Sequence, residues 1–139
     1  MARVLLSDDH PFVRRGLRTI LDDTDGFEVC GEAGDGVQTL ELAMRLRPDI
    51  VITDISMPQP NGLEVTSQLR QSLPQAKVLI ITMHDSEEML RAAAAAGASG
   101  YLLKSDAEDL LMVALHRLEE GRCFVSPAFD PQLAQQLLG

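Results

Sequence analysis

The chain alternates short runs of apolar residues with longer stretches in which apolar residues recur at helical spacing. This alternation predicts repeated strand–helix units around a parallel sheet. We predict five strands, near residues 3–7, 27–33, 50–53, 77–82 and 100–103. The third and fourth are almost entirely Val, Ile and Leu, which is typical of strands covered on both faces. We therefore expect these two strands at the centre of the sheet.

Five helices are expected between and after the strands. Four of their starts show a cap residue followed three positions later by Glu or Gln, and a proline marks the remaining one. These residues are Asp35 with Gln38, Asn61 with Glu64, Asp85 with Glu88, Ser105 with Glu108, and Pro11 in the first helix. Gly97 and Gly121 are placed to end the fourth and fifth helices. Residues 130–138 predict a short sixth helix.

The apolar stripes of three helices predict which face of each helix is buried. The predicted stripes are Phe12, Val13, Leu17, Ile20 and Leu21 in the first helix, Val37, Leu40 and Met44 in the second, and Leu110, Leu111, Ala114, Leu115 and Leu118 in the fifth.

Four of the apolar runs end in residues that can bind phosphate or a metal ion. Asp8 and Asp9 follow the first strand, Asp54 the third, Thr82 the fourth and Lys104 the fifth. In an open parallel sheet, ligands bind beyond the carboxyl ends of the strands, near the point where strand order reverses. We therefore expect these five side chains to converge at one edge.

Three carboxylates crowded together repel one another unless a cation lies among them. A hard divalent ion with oxygen ligands, Mg²⁺, fits this need. Lys104 and the metal then form a positive clamp around Asp54, and Thr82 adds a hydroxyl donor. This layout is the one expected for moving a phosphoryl group onto a carboxylate, where positioning and charge neutralisation supply most of the catalysis.

Composition narrows the class of protein. The 139 residues fit one domain with a real core. Lys and Arg number 12 against 21 Asp and Glu, a net charge of −9, so this segment is not expected to bind nucleic acid by itself. Cys30 and Cys123 are far apart and predict neither a zinc site nor a disulfide framework. No apolar run is long enough for a signal peptide or a membrane span, which predicts a soluble, cytoplasmic protein.

The motifs at the strand ends resemble the receiver domain of two-component response regulators. They are SDDHP at residues 7–11, DIVITDISMP at 49–58 followed by Asn61-Gly62, ITMH at 81–84 and GASGYLLK at 97–104. They occur in the expected order, and the resemblance extends from residue 3 to about residue 121. It implies an α/β, flavodoxin-like (βα)5 fold, a doubly wound parallel sheet with strand order 2-1-3-4-5.

The resemblance also implies a role for each site residue. Asp54 is the phosphoacceptor, and Asp8, Asp9, Asp54 and the backbone carbonyl of Ser56 hold Mg²⁺. Thr82 and Lys104 bind the phosphoryl oxygens, and Tyr101 is the aromatic residue that turns inward on activation. We further predict that His84, two residues after Thr82, borders the site, and that Ser56 and His84 tune the lifetime of an acyl phosphate.

Four segments are similar to the NarL/FixJ type, which usually carries a LuxR-like helix-turn-helix domain next. They are Asp9-His10-Pro11, the turn at residues 82–85, and the segments 100–104 and 121–127. We expect residues 1–121 to form the receiver domain and residues 122–139 to begin a linker to such a domain, which these 139 residues lack. The chain is either part of a longer protein or a stand-alone receiver, and its abrupt end at Gly139 favours the first of these. The resemblance implies a transcriptional regulator that is phosphorylated by a sensor histidine kinase, dimerises on phosphorylation and reaches DNA only through the missing domain. It also implies that the chain is not an enzyme, although the domain assists its own phosphorylation and dephosphorylation.

Two other classes compete with this interpretation. A phosphatase of the haloacid-dehalogenase type also uses an aspartate nucleophile and Mg²⁺. That class needs a second Asp two residues after the nucleophile, and here the position is Ser56. A dinucleotide-binding module is weaker still, because Gly31, Gly34 and Gly36 do not follow the GxGxxG spacing.

Overall fold

Six parallel strands form one sheet in the computed structural model, which describes residues 1–139. The strands are β1 (Ala2–Ser7), β2 (Phe27–Ala33), β3 (Ile50–Thr53), β4 (Lys77–Thr82), β5 (Gly100–Leu103) and β6 (Phe124–Val125). The helices are α1 (Pro11–Asp22), α2 (Gly36–Leu46), α3 (Gly62–Ser72), α4 (Glu87–Ala96), α5 (Ala107–Glu119) and α6 (Pro131–Leu138). A single 3₁₀ turn, Lys104–Asp106, precedes α5.

The strand order is β2-β1-β3-β4-β5-β6, with every neighbouring pair parallel. The predicted flavodoxin-like order 2-1-3-4-5 is confirmed, and β3 and β4 are central as expected. The chain moves from β1 to β2 on one side and returns to β3 on the other, so strand order reverses between β1 and β3. The short strand β6 was not predicted.

Apolar side chains fill the space on both faces of the sheet. One cluster joins the sheet to α2, α3, α4 and α6, and the other joins it to α1 and α5. In β1, Leu5 belongs to the first cluster, whereas Val4 and Leu6 belong to the second. This alternation follows from the two-residue period of a strand. The carboxyl ends of the strands are thereby held between two packed layers.

The predicted buried face of α2 was wrong at two of its three residues. Leu40 is partly buried against the first apolar cluster, but Val37 and Met44 are 52% and 46% exposed, and the helix instead buries Gly36, Thr39 and Ala43. These smaller residues let α2 lie close to its neighbours: a Cβ atom added at Gly36 would be 1.9 Å from the carbonyl oxygen of Pro60. The close approach of α2 to the chain at Pro60 therefore decides which face of the helix is buried, and the larger side chains of Val37 and Met44 remain exposed.

The first helix also departs from its predicted stripe. Leu17 and Leu21 are buried, but Phe12 is 82% exposed. By contrast, α5 buries Leu111, Ala114, Leu115 and Leu118 as predicted, whereas Leu110 is only half-buried.

The predicted helix starts are confirmed at three positions and wrong at two. Pro11 begins α1, Asp35 caps α2, and Asn61 and Glu64 form a complete capping box on α3. Ser86, not Asp85, caps α4 by accepting a hydrogen bond from the Met89 amide. Ser105 does not cap α5, because it lies within the 3₁₀ turn that precedes this helix.

The helix ends follow the glycines more closely. Gly97 ends α4 in the left-handed conformation, and Gly121 has a φ of +78° just after α5. The short sixth helix is present as α6. None of the helices combines the length and apolar character needed to cross a bilayer.

Candidate functional site

Two buried carboxylates lie side by side where strand order reverses. Asp8 follows β1 and Asp54 follows β3, and only 3% and 4% of their surfaces are exposed. Because β1 and β3 are paired in register up to Ser7 and Thr53, the next residue of each strand reaches the same place. Ligand atoms of Asp8, Asp9, His10 and Asp54 all lie within 4.8 Å of one another. The sheet thus assembles the acidic cluster that the strand ends predicted.

Lys104 supplies the positive charge for this cluster. Its Nζ lies 2.9 Å from Oδ2 of Asp54 and 3.1 Å from Oδ2 of Asp8. Burial alone would lower the pKa of Lys104, but hydrogen bonds to Asp54 and Asp8 and their negative charges outweigh burial and raise this pKa. The lysine is therefore an ammonium ion shared by two buried carboxylates.

The loop after β3 fixes the orientation of Asp54. Oδ1 of Asp54 accepts a hydrogen bond from the Ile55 amide at 2.7 Å, and the Gly62 amide donates to the Ile55 carbonyl at 3.0 Å. A Cβ atom at Gly62 would be 1.9 Å from the carbonyl oxygen of Asp54, so only glycine fits the first position of α3. The capping box then holds the start of α3 in place. Backbone contacts and the ion pair with Lys104 together fix the orientation of the Asp54 carboxylate.

His84 joins the remaining predicted residues into a second group. Its amide donates to Oγ1 of Thr82 at 3.3 Å, its carbonyl accepts from the Tyr101 hydroxyl at 2.7 Å, and its Nε2 is 2.8 Å from Oγ of Ser56. The Ser56 contact joins the loop after β3 to the loop after β4. His84 therefore borders the site, in the place expected from its position after Thr82.

Tyr101 is fully buried, and its ring points into the protein. Burial, followed by the negative charges of Asp54 and Asp85, raises the pKa of Tyr101 to about 12. Thr82 is also fully buried and shares with Lys104 the lining of a cavity of about 380 Å³. The hydroxyl of Thr82 bonds to His84, however, and not to Asp54 or Lys104.

His10 lies in the site although it was not predicted there. Its Nδ1 lies 3.0 Å from Oδ1 of Asp8 and 3.0 Å from Oδ1 of Asp9. Arg14, one turn into α1, donates to the backbone carbonyl of Asp8 and also pairs with Glu32 of β2. The position of His10 directly after the two aspartates could have placed it in the site. No sequence pattern predicts the ion pair between Arg14 and Glu32.

Comparison with known proteins agrees with this geometry. The family model described as "Response regulator receiver domain" matches residues 4–116. The chain belongs to the response regulator receiver family. As a receiver domain, it is a signalling domain and not a classical enzyme. Receiver domains bind Mg²⁺ at their acidic pocket, which here is the cluster of Asp8, Asp9 and Asp54.

Relatives of this receiver domain confirm the predicted NarL type. The nitrate/nitrite response regulator protein NarL of Escherichia coli is 38% identical over 136 residues, which are 98% of this chain and 63% of that protein. The transcriptional regulatory protein MctR of Rhizobium johnstonii is 37% identical, over 97% of this chain and 64% of that protein. The receiver domain thus spans a little under two thirds of the length of these curated relatives.

Solved structures share the fold of this receiver domain. A LuxR-family two-component response regulator from Aurantimonas sp. SI85-9A1 has a TM-score of 0.87 at 37% identity, covering 99% of this chain and 95% of that chain. The isolated receiver domain of RcsB from Salmonella enterica serovar Typhimurium, solved with the phosphomimetic BeF3⁻, has a TM-score of 0.85 at 27% identity and covers 99% of both chains. These matches do not favour the phosphatase alternative.

Proposed function

We propose that this receiver domain accepts a phosphoryl group on Asp54 from a sensor histidine kinase and so acts as a phosphorelay switch in transcription regulation. The observation that carries the proposal is the shared ammonium ion of Lys104, which contacts both buried carboxylates at 2.9 and 3.1 Å. A carboxylate held beside a cation at the carboxyl end of a strand is poised to take up an anionic group, because the cation offsets the added negative charge.

Carboxylate oxygens suit a hard divalent ion, so the acidic cluster fits Mg²⁺. Asp8, Asp9, Asp54 and the backbone carbonyl of Ser56 would hold the ion. When bound, Mg²⁺ would neutralise charge on the phosphoryl oxygens. Lys104 does the same from the other side, and the Ile55 amide keeps the acceptor carboxylate in its orientation.

The transfer itself moves one group between two residues. An oxygen of Asp54 attacks the phosphorus of a phosphohistidine, the nitrogen–phosphorus bond breaks, and an acyl phosphate forms while the histidine leaves. Hydrolysis of the acyl phosphate by water later restores the Asp54 carboxylate and releases inorganic phosphate. The receiver domain assists both steps through Lys104, and Ser56 and His84 set the lifetime of the acyl phosphate by controlling access of water.

Phosphorylation adds about −1.5 to −2 charge at the end of β3. We propose that the new oxygens draw the Thr82 hydroxyl and Lys104 toward the site, and that Tyr101 then holds its inward position. Two side chains would have to change partners: Thr82 leaves the His84 amide, and Lys104 leaves Asp8. The equilibrium between two arrangements of the β4–α4 region would carry the signal.

The output belongs to a larger assembly. We propose that residues 1–121 form the receiver unit, that residues 122–139 begin the connection to a DNA-binding domain of the helix-turn-helix type, and that phosphorylation promotes homodimerisation. The match of the receiver family model to residues 4–116 supports the bounds of the receiver unit. NarL and MctR are named as regulators, and this chain covers a little under two thirds of their length, which supports a further domain in proteins of this type.

Intact mass after incubation with Mg²⁺ and a small phosphodonor tests the acceptor. We expect one added phosphoryl group, lost in Asp54→Asn and lost when the metal is chelated. The matched control is Asp49→Asn, an exposed aspartate at the opposite end of β3, which should be phosphorylated like wild type. Adduct formation that persists in Asp54→Asn would refute the assignment, and multiple turnover of a phosphoester without a lasting adduct would favour the phosphatase.

A further inference from the structure

The segment after α5 is bound to the strand that carries Tyr101. Phe124 and Val125 pair with Gly100 and Tyr101 as β6. Ser126, which is 1% exposed, then donates its amide hydrogen to the Tyr101 carbonyl at 2.9 Å and accepts the Leu103 amide hydrogen on its Oγ at 2.8 Å. A serine hydroxyl thereby takes the place of the next backbone group of β6. The segment is therefore paired with β5 both before Tyr101, at Gly100, and after it, at Leu103.

The same segment covers the Tyr101 ring. Phe129 meets this ring edge to face, with centroids 5.5 Å apart and planes at 89°. Phe129 and Leu133 are 6% and 8% exposed, and both belong to the apolar cluster that contains Tyr101 and Leu90 of α4. Contacts between α4 and α6 continue the packing. We call residues 124–138 the strap.

The strap holds Tyr101 in the position described above. The hydroxyl of Tyr101 donates a hydrogen bond to the His84 carbonyl, and the ring makes an edge-to-face contact with Phe129. Outward movement of the ring would break the hydrogen bond and lose the aromatic contact, which has its own favourable free energy. The docked strap therefore favours the inward position of Tyr101.

We propose that docking of the strap and occupancy of the Asp54 site are positively coupled through Tyr101. The proposal rests on the proposed function, in which phosphorylation favours inward Tyr101. Coupling between two sites is reciprocal, so a phosphoryl group that holds Tyr101 inward tightens the strap, and a docked strap raises affinity for the phosphoryl group. The acceptor site and the segment that follows α5 are then parts of one switch.

Amide hydrogen exchange of wild type, with and without Mg²⁺ and beryllofluoride, tests the first direction. We expect exchange in residues 131–138 to slow by about fivefold when beryllofluoride binds. Asp54→Asn should show no such change. Binding is followed separately by fluorescence of Tyr101, because the chain has one tyrosine and no tryptophan. A fluorescence response without slower exchange in the strap would overturn the coupling and leave the proposed function intact.

Beryllofluoride affinity of strap variants tests the second direction. We expect Phe129→Leu, which keeps an apolar side chain and the fold, to bind beryllofluoride about threefold more weakly, and Phe129→Ala up to about tenfold more weakly. Gln136→Ala, an exposed position on α6, should bind like wild type. Wild-type affinity in both Phe129 variants would overturn the proposal. A wild-type protein that takes up no beryllofluoride would refute the proposed function, and the coupling with it.

Discussion

The two sides of the site are held in different ways. On the acceptor side, which comprises Asp8, Asp54, Lys104 and the loop to Gly62, two ion pairs and a close backbone contact fix the geometry. On the switch side, which comprises Thr82, His84, Tyr101 and Ser56, single hydrogen bonds converge on His84. Buried charges are expensive to separate, whereas neutral hydrogen bonds have a modest net free energy and can be exchanged.

This difference suits the proposed switch. The acceptor side has to present the same carboxylate to every phosphodonor, and there only Lys104 exchanges one of its two partners, Asp8, once the phosphoryl group is present. On the switch side, the hydrogen bond between Thr82 and His84 has to be exchanged as a whole. Substitutions on the two sides should therefore differ in what they perturb: stability and acceptor geometry on one side, and the position of an equilibrium on the other.

The largest expected effect is at Gly62. In Gly62→Ala the new Cβ would overlap the carbonyl oxygen of Asp54, so the loop or α3 must move. We expect the free energy of unfolding to fall by about 4 kcal/mol or more. Gly16→Ala is the control: nothing lies within 4 Å of its Cβ position in α1, and it should be stabilising by about 0.5–1 kcal/mol. Similar urea midpoints for the two variants would show that the close contact is not decisive.

Removal of Lys104 should have the next largest effect. Lys104→Ala leaves Asp8 and Asp54 buried without their counter-charge, and we expect a loss of about 3 kcal/mol in the free energy of unfolding without divalent ions. Added Mg²⁺ should recover most of this loss, because it supplies the missing positive charge. Lys77→Ala changes the other lysine, which has no ion pair, and should show neither effect. Urea denaturation with and without Mg²⁺ measures both.

High pH should weaken the switch side. The pKa of Tyr101 is raised to about 12, above its unfolded value of about 10. The contribution of Tyr101 to the free energy of unfolding is therefore complete below pH 10 and is lost as the pH rises through 12. This contribution is at most about 2–3 kcal/mol. Lys104, whose pKa is also raised, loses its contribution in the same direction. Burial also raises the pKa of the Cys30 thiol, so Cys30 contributes in the same direction. Tyr101→Phe should reduce the alkaline loss to the part due to Lys104 and Cys30.

Absorbance of tyrosinate against pH gives the pKa of Tyr101 directly, since no other tyrosine or tryptophan interferes. A midpoint near 10 in the folded protein would mean that the ring is solvated, and would remove the basis for an inward Tyr101 held by His84 and Phe129.

The smallest effect on stability is expected at Ser56. The hydrogen bond between Ser56 and His84 is exposed, so Ser56→Ala should change the free energy of unfolding by less than about 0.5 kcal/mol. The lifetime of the phosphorylated protein, followed by mass after removal of the phosphodonor, should nevertheless change severalfold. Ser105→Ala, an exposed serine beside Lys104 with no side-chain hydrogen bond, is the control. Equal lifetimes in the two variants would exclude a tuning role for Ser56.

Strands and strand ends were the most predictable features. The buried runs of β3 and β4 have few alternatives, and parallel pairing brings their carboxyl ends together, so the meeting of Asp8, Asp54 and Lys104 followed from the pattern. The face of α2 did not, because its packing depends on how closely Gly36 approaches Pro60, a distance that the apolar pattern of one helix does not encode.

Long-range polar contacts were also out of reach. The convergence of Ser56 and Tyr101 on His84 depends on the paths of two loops, and β6 is two residues long, too short for a periodic signal. Ser126 is an example. Its structural role depends on hydrogen bonds to Tyr101 and Leu103, which are 25 and 23 residues away in the sequence, so the local sequence does not indicate it.

The two-residue strand β6 also covers an edge of the sheet that would otherwise be open to strand pairing. Without it, β5 would be the outer strand of the sheet, and the apolar residues Gly100–Leu103 would offer unpaired amide and carbonyl groups to a second molecule. An exposed apolar strand of this kind is a template for aggregation. The pairing of β6, the hydroxyl of Ser126 and the proline that follows it at Pro127 occupy this edge, so the segment that covers Tyr101 also shields β5 from pairing with a strand of a second molecule.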